Sequence, residues 1–385
     1  MLDFSYYNPT RIHFGKNKLS KLDQEIPANA KVLLLYGGGS VITNGTLAEV
    51  RHVLGDRYLS EFGGIEPNPS YERLSQAVAQ VKTEGISYIL AVGGGSVIDG
   101  AKYIAAAACM ETDGWSILET GGRCIARTLP VGVVLTLAAT GSEMNSSAVV
   151  TRVSTHDKMS FASRHCFPTF AILDPTRTMT LPARQVSNGV VDAFTHVVEQ
   201  YLTYPVNAKV QDRFAEGLLL TLIEEGPRAL KDPERYEVRA NLMWTASLAL
   251  NGLIGAGVPQ DWSTHMIGHE LTAMHGLDHA QTLAVILPAM LSVRRQDKSQ
   301  KLLQYAKRVW GINEGTEVQR IEDGIARTRD FFEQMGVATR LGSYGIDADE
   351  IPKLIEQLER HGMKALGERR DVTLAISAKV LEQCL

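Results

Sequence analysis

The chain has 385 residues, enough for two ordinary domains, each with its own core. Its residues are 44% hydrophobic and 21% charged, the make-up of a folded globular protein, which excludes extended disorder as a starting point. A formal net charge of -4 gives no electrostatic reason to expect nucleic acid or an anionic membrane as partner, and no apolar run approaches the roughly 20 residues a bilayer span needs.

The opening MLDFSYYNPTRIHFGK lacks the apolar stretch of a signal peptide. Within it, Thr10–Phe14 reads as a strand, and an unprotected edge strand tends to find a partner. Residues 31–180 then alternate short apolar runs with helical stretches. The runs are Val32–Tyr36, Tyr88–Val92, Val131–Leu135 and Phe170–Leu173. Continuous apolar strands separated by helices predict a parallel sheet covered on both faces, the doubly wound α/β architecture. From Leu181 the texture changes to long amphipathic helical stretches: Val210–Leu230, Tyr236–Gly255, Ile351–His361 and Val372–Leu381. The Leu181-Pro182 step marks the boundary, because the residue before a proline is pushed out of the helical region. The expected domains are therefore 1–180, α/β, and 181–385, all-helical. The four cysteines, Cys109, Cys124, Cys166 and Cys384, include no C-x-x-C pair, which points away from a thiolate zinc site and towards a reducing cytoplasm.

Two of the predicted strands end in the same string, Gly37-Gly38-Gly39-Ser40 and Gly93-Gly94-Gly95-Ser96. Glycine lets the backbone approach a ligand without a Cβ, and a following helix aims its free N–H groups and positive dipole end at an anion. A dinucleotide pyrophosphate is the natural occupant, although neither string is the G-x-G-x-x-G fingerprint. No acidic residue lies between Tyr36 and Leu47 to repel a 2′-phosphate, and Ser40 could donate to one; both features favour NADP(H).

The helical half carries metal-capable side chains in two clusters. Asp192 and His196 stand four apart, on one face of a helix, and so do His265 and His269; His275 and His279 follow. Carboxylate and neutral imidazole are what Fe²⁺ or Zn²⁺ prefer. Spacing alone does not choose the ligands: it would pair His265 with His269 and says nothing of His279. It does exclude the H-E-x-x-H protease motif, since Glu270 comes one position too late. His13, His52, His156, His165 and His361 are isolated and read as surface or structural residues.

The residues quoted so far, with Phe62-Gly63-Gly64-Ile65-Glu66-Pro67-Asn68-Pro69 and the run from Asn251 to Trp262, resemble the iron-containing (group III) alcohol dehydrogenases. The resemblance covers nearly the whole chain and is nearest the butanol dehydrogenase-like branch, which includes broad-substrate NADPH-dependent aldehyde reductases of bacteria. It implies a dehydroquinate synthase-like fold: an α/β nucleotide-binding domain followed by an all-α metal-binding domain. It implies a divalent metal, Fe²⁺ or Zn²⁺, on Asp192, His196, His265 and His279, with His269 lining the site and a candidate to relay the proton. His275 has no counterpart and reads as structural. For NADP(H) it implies contacts from Gly37, Gly38, Gly39, Ser40, Asn68, Gly94, Gly95, Ser96, Asp99, Thr136, Thr140, Asn145 and Lys158. It further implies a homodimer formed through the N-terminal region.

The function expected is reversible reduction of small, mostly apolar aldehydes, given the Leu253, Ile254, Ala256, Val258, Trp262 and Met266 that accompany the metal segments. The alternative on the same fold is an NAD-dependent polyol or glycerol-type dehydrogenase. A metal-dependent hydrolase using the same histidines would leave both glycine strings unexplained. Ile42 and Thr43 stand where the aldehyde reductases carry two lysines, which lowers the positive charge near the adenosine phosphate; Arg177 is a candidate to restore some of it. Met144 replaces a smaller residue and is expected to narrow the substrate pocket.

Overall fold

Six parallel strands form the sheet that organises the first part of the chain, in the order β1-β8-β5-β4-β2-β3. This computed structural model describes residues 1–55, 57 and 59–385. Along the chain come β1 (Arg11–Phe14), α1 (Leu22–Glu25), β2 (Val32–Tyr36), α2 (Ser40–Thr43), α3 (Thr46–Leu54) and β3 (Leu59–Phe62). Then follow α4 (Tyr71–Glu84), β4 (Tyr88–Gly93), α5 (Gly95–Ala107), α6 (Ser116–Glu119) and β5 (Val131–Leu135). A separate antiparallel hairpin, β6 (Ser147–Arg152) with β7 (Asp157–Ala162), precedes β8 (Phe170–Leu173).

The central strands are buried on both faces, as their unbroken apolar sequences require. Leu33, Leu35, Ile89 and Ala91 face a core completed by Leu74, Ala77 and Ile98 from α4 and α5. Val32, Leu34, Leu90 and Val92 face the opposite one, completed by Leu22, Leu47, Val50 and Leu54. The strand order places the reversal of winding at β2 and β4. From β2 the chain steps outward to β3, then crosses back to β4 on the other side of β2. Ligands of open α/β sheets bind at the carboxyl ends of strands at such a switch point. Both glycine strings follow these two strands, and the register pairs Tyr36 with Val92, so the turns start side by side.

The second part of the chain is helical: α7 (Ala183–Tyr201), α8 (Lys209–Lys231), α9 (Tyr236–Ala249), α10 (Ser263–His275), α11 (His279–Val293) and α12 (Ser299–Arg308). After them come α13 (Glu317–Gln334), α14 (Ile351–Arg360), the two-residue strands β9 (Ala365–Leu366) and β10 (Val372–Thr373), and α15 (Leu374–Gln383). Val372–Thr373 is thus extended where a helix is predicted, and α9 stops at Ala249, short of Gly255. Gly252 and Gly257 beyond it adopt positive φ, a conformation a helix cannot hold. Among the described residues no helix is long and apolar enough to cross a membrane.

The residues group into a sheet unit, Tyr7–Pro182 with Asp232–Ser247, and a helical unit, Met1–Tyr6 with Ala183–Lys231 and Leu248–Leu385. Two segments therefore lie across the Leu181 step from their sequence neighbours. Most of α9 belongs with the sheet because Met243 is buried in its core, Trp244 meets Phe14 edge-on at 6.0 Å, and Ser247 donates to Glu143. Residues 1–6 join the helices, where the Leu2 N–H donates to the Gly257 carbonyl at 2.9 Å.

Candidate nucleotide turn and metal centre

In the sheet unit the glycine turn after β4 leads directly into α5, thirteen residues long, with Gly94 at the N-cap. A glycine N-cap has no side chain to satisfy the first N–H groups, so the helix start is suited to an anion. These glycines are needed because neighbours crowd them, and their φ angles are not positive. A Cβ on Gly95 would stand 2.4 Å from Thr140 Oγ1, one on Gly93 2.5 Å from Val97 Cγ2, and one on Gly94 3.0 Å from Leu137 Cβ. In the first string Gly39 does take a positive φ, 105°, at the start of α2, which begins with Ser40.

The segment Thr136–Asn145 is laid against that turn and held there by a buried network. Thr136 N–H donates to the Gly93 carbonyl at 3.0 Å. Lys102, fully buried on α5, donates to Ser142 Oγ (2.8 Å), Asn145 Oδ1 (3.0 Å) and the Ser147 carbonyl (2.7 Å). Asp99 accepts from Ser142 Oγ at 2.6 Å and from Val149 N–H at 2.9 Å. Burial pulls the Lys102 pKa down to about 8 against the pull of Asp99, and burial pushes that of Asp99 up. Asp99 and Asn145 are thus engaged with protein groups that shape the turn. Lys158 donates to Asn68 Oδ1 at 2.8 Å, joining two residues of the expected contact set. Arg177 holds Glu49 through both terminal nitrogens, one at 2.9 Å, and its Nε lies 3.9 Å from Asp174. Its charge is matched there, so it is not a spare cation for a phosphate.

In the helical unit α7 carries Asp192 and His196, α10 carries His265 and His269, and His279 opens α11. A capping box of Asp278 and Gln281 fixes the start of α11, and Asn188 on α7 donates to Asp278 at 2.8 Å. The result is convergence. One ligand atom each from Asp192, His265 and His279 lies within 4.8 Å of the other two. Asp192 Oδ1 is 3.7 Å from His279 Nε2 and 3.6 Å from His196 Nε2. The His196 and His265 rings stack with centroids 4.7 Å apart, and the edge of Trp262 meets both. His269 stands beside the group, its ring centroid 5.4 Å from His279 and 6.5 Å from His265. His275 points elsewhere, to Glu350 at 3.7 Å, and His361 contacts Glu270 at 2.7 Å.

Asp192, His196, His265 and His269 are buried and His279 is half-buried. Burial lowers the His196 pKa to about 4 in spite of Asp192, so its imidazole is neutral at pH 7, the form that binds metal. One carboxylate and several imidazoles converging among mostly buried side chains fit Fe²⁺ or Zn²⁺, and the cluster contains no thiolate.

One group absent from the sequence-based set is Glu199, a turn beyond His196 on α7. It lies against His265 Nδ1 and accepts from Thr264 N–H at 2.7 Å. Burial, reinforced by the charge of Asp261, pushes its pKa well above the usual carboxylate range. Burial also opposes the Asp261 charge, but Lys298 and the Ser263 donors outweigh it and hold that pKa low. The sequence signal for Glu199 is only a carboxylate three residues after a histidine; what gives it a role is the approach of α10.

A model of iron-containing alcohol dehydrogenases matches residues 9–175, and one of the C-terminal part of the Fe-containing family matches residues 186–368. The chain belongs to the iron-containing alcohol dehydrogenase family. Its fold is the dehydroquinate synthase-like fold of that family. Over 384 residues it is 59% identical to the NADPH-dependent aldehyde reductase YqhD of Escherichia coli, covering 99% of each chain. A crystal structure of E. coli YqhD superposes with a TM-score of 0.99 over 100% of this chain and 99% of that one, at 58% identity. At 38% identity and 97% coverage of both chains stands NADH-dependent butanol dehydrogenase B of Clostridium acetobutylicum.

Proposed function

We propose that the protein is a metal-dependent aldehyde reductase that reduces small, mostly apolar aldehydes with NADPH. The observation that carries the reading is the end-to-end 59% identity to an NADPH-dependent aldehyde reductase, and the convergence of Asp192, His265 and His279 supports it. Asp192, His196, His265 and His279 would hold the divalent ion. When bound, the ion supplies Lewis-acid polarisation of a carbonyl oxygen and NADPH supplies hydride.

The rest is the work of this chain's own groups. The Gly93–Gly95 turn and the first N–H groups of α5 bind the pyrophosphate, with Ser96, Thr136 and Thr140 along its edge. The Gly37–Gly39 turn accommodates the adenosine end, where Ser40 donates to the 2′-phosphate. Asn68 and Lys158 act as a joined pair. The Lys102–Asp99–Ser142 network keeps the Thr136–Asn145 segment in place against the turn. His269 gives a proton to the developing alkoxide, a role suited to a group whose ordinary pKa is near 6.5. Trp262 and its apolar neighbours keep water away, which strengthens every charge interaction at the site.

A second reading, NADH in place of NADPH, is favoured by Ile42 and Thr43 and by the pairing of Arg177 with Glu49. The assembly is a homodimer formed through the free edge of β1, one of the two edge strands of the sheet. Four free cysteines suit a reducing cytoplasm.

The test is the initial rate of butanal reduction by metal-reconstituted protein with NADPH and NADH in parallel. A rate that needs metal and prefers NADPH is expected. A preference for NADH selects the second reading, and turnover that ignores metal removal overturns the role of the cluster.

A further inference from the structure

We infer that Glu199 is a positioning residue for the metal centre: it fixes His265 with its proton on Nδ1, so that Nε2 carries the ligating lone pair. The inference rests on the proposed metal site and goes one layer beyond it.

The two oxygens of Glu199 have different neighbours. Oε1 accepts from the Thr264 N–H at 2.7 Å, and a backbone N–H is always a donor. That contact sets the carboxylate plane and turns Oε2 onto His265 Nδ1. A metal on Nε2 takes that nitrogen's lone pair, so the ring proton then sits on Nδ1, and the Oε2 lying against it is the acceptor. With Nδ1 so engaged, Nε2 is the nitrogen left to face Asp192 and His279. A second-layer carboxylate of this kind orients the ring and raises its basicity.

Glu199 is itself held by a buried charge chain. Its backbone carbonyl accepts from Asp261 N–H at 2.9 Å. Asp261 accepts from Ser263 N–H at 3.1 Å, so Asp261 and Glu199 together take the first two N–H groups of α10, the helix that carries His265. Lys298 lies 2.8 Å from Asp261 and donates to Glu368 at 2.9 Å and to the Leu202 carbonyl, just past α7, at 2.7 Å. One ammonium thus ties the end of α7 to the start of α10. Two buried or nearly buried carboxylates, Asp261 and Glu368, share it, so the anchor behind Glu199 is itself paired and held in place.

Glu199→Gln separates this role from mere packing, because the amide has the same shape but only one acceptor. It must aim its NH₂ either at the Thr264 N–H, donor against donor, or at Nδ1, which drives the proton to Nε2 and blocks the ligand. The measurement is Co²⁺ titration of the full, metal-stripped chain and of the variant, reading affinity and the visible d–d bands. The expected result is a weakening of about 10- to 100-fold with altered bands, while far-UV circular dichroism stays the same. Glu199→Asp, which keeps both acceptors, should recover part of the loss. Equal affinity and identical bands in E199Q overturn the role of Glu199 and leave the metal site standing. Failure of the unsubstituted chain to bind Co²⁺ overturns both. Should the variants not fold, ¹⁵N-histidine spectra of the Zn²⁺-loaded unsubstituted chain decide: metal on Nε2 with protonated Nδ1 is expected, and metal on Nδ1 overturns the inference.

Discussion

The sheet unit and the helical unit build their sites from different materials. At the Gly93–Gly95 turn the working surface is backbone, exposed by leaving out side chains and braced from behind by Lys102 and Asp99. At the Asp192 cluster the working surface is side chains, brought from three helices, of which α7 lies far in the sequence from the adjacent α10 and α11. A backbone site occupies one short stretch and leaves a readable string. A side-chain site is defined by distances, and its string can mislead: the evenly spaced His265 and His269 have ring centroids 6.5 Å apart, whereas His265 converges with Asp192, 73 residues earlier, and with His279.

Substitutions in the two regions should break differently. The largest effect is expected for Asp192→Ala, which removes the carboxylate at the centre of the cluster. Steady-state kinetics should show kcat lower by about 10³-fold with the KM for NADPH nearly unchanged. Substitution of His269 by Ala should lower kcat by about 10²-fold and abolish the limb of the pH profile that belongs to an imidazole, while metal content by elemental analysis stays that of the parent. If the metal is lost with it, His269 is a ligand and the distinction drawn within the cluster fails.

Smaller effects belong to the sheet. Gly95→Ala pushes a Cβ into Thr140 and should raise the KM for NADPH about tenfold, with metal content intact. The smallest is a pH effect on stability. The folded-state pKa of Lys102, about 8, lies below its ordinary value of 10.5, so the unfolded chain binds more protons between those limits and stability from this group rises with pH. Relative to Lys102→Met, denaturant unfolding should show a gain of about 1 kcal/mol from pH 8 to pH 9. A flat difference would mean that the Lys102 pKa is not lowered by folding.

The same contrast explains what the sequence reveals. Val32–Tyr36, Tyr88–Val92, Val131–Leu135 and Phe170–Leu173 are unbroken apolar runs because both faces of the sheet are covered, and all four are strands. β3 is hidden because Ser60 and Glu61 interrupt its pattern; this edge strand uses them to meet Gln80 and Arg51. The β6–β7 hairpin stands outside the main sheet and lacks such an apolar run. In α9 a helix is readable but its allegiance is not, since Met243 and Ser247 act through contacts no local pattern encodes. Recognising Glu199, Asp261, Lys298 and Glu368 as a chain needs the packing of α7 against the start of α10, a distance of more than 60 residues along the sequence. Resemblance to relatives supplies the metal set that spacing leaves open, but it is silent on the carboxylates behind it.

The pairing of β1 has a consequence for biosynthesis. Arg11 aligns with Phe170, so β1, made before the other five strands of the sheet, has no neighbour there until some 160 more residues have been made. The four strands β2 to β5 can associate earlier, through connections that are shorter and lose less entropy on closing. Leu2, whose N–H meets the carbonyl of Gly257, must wait longer still. Of the six strands, β1 is therefore the first synthesised and among the last to be placed, and until then it is an exposed strand that a nascent chain must keep from pairing wrongly.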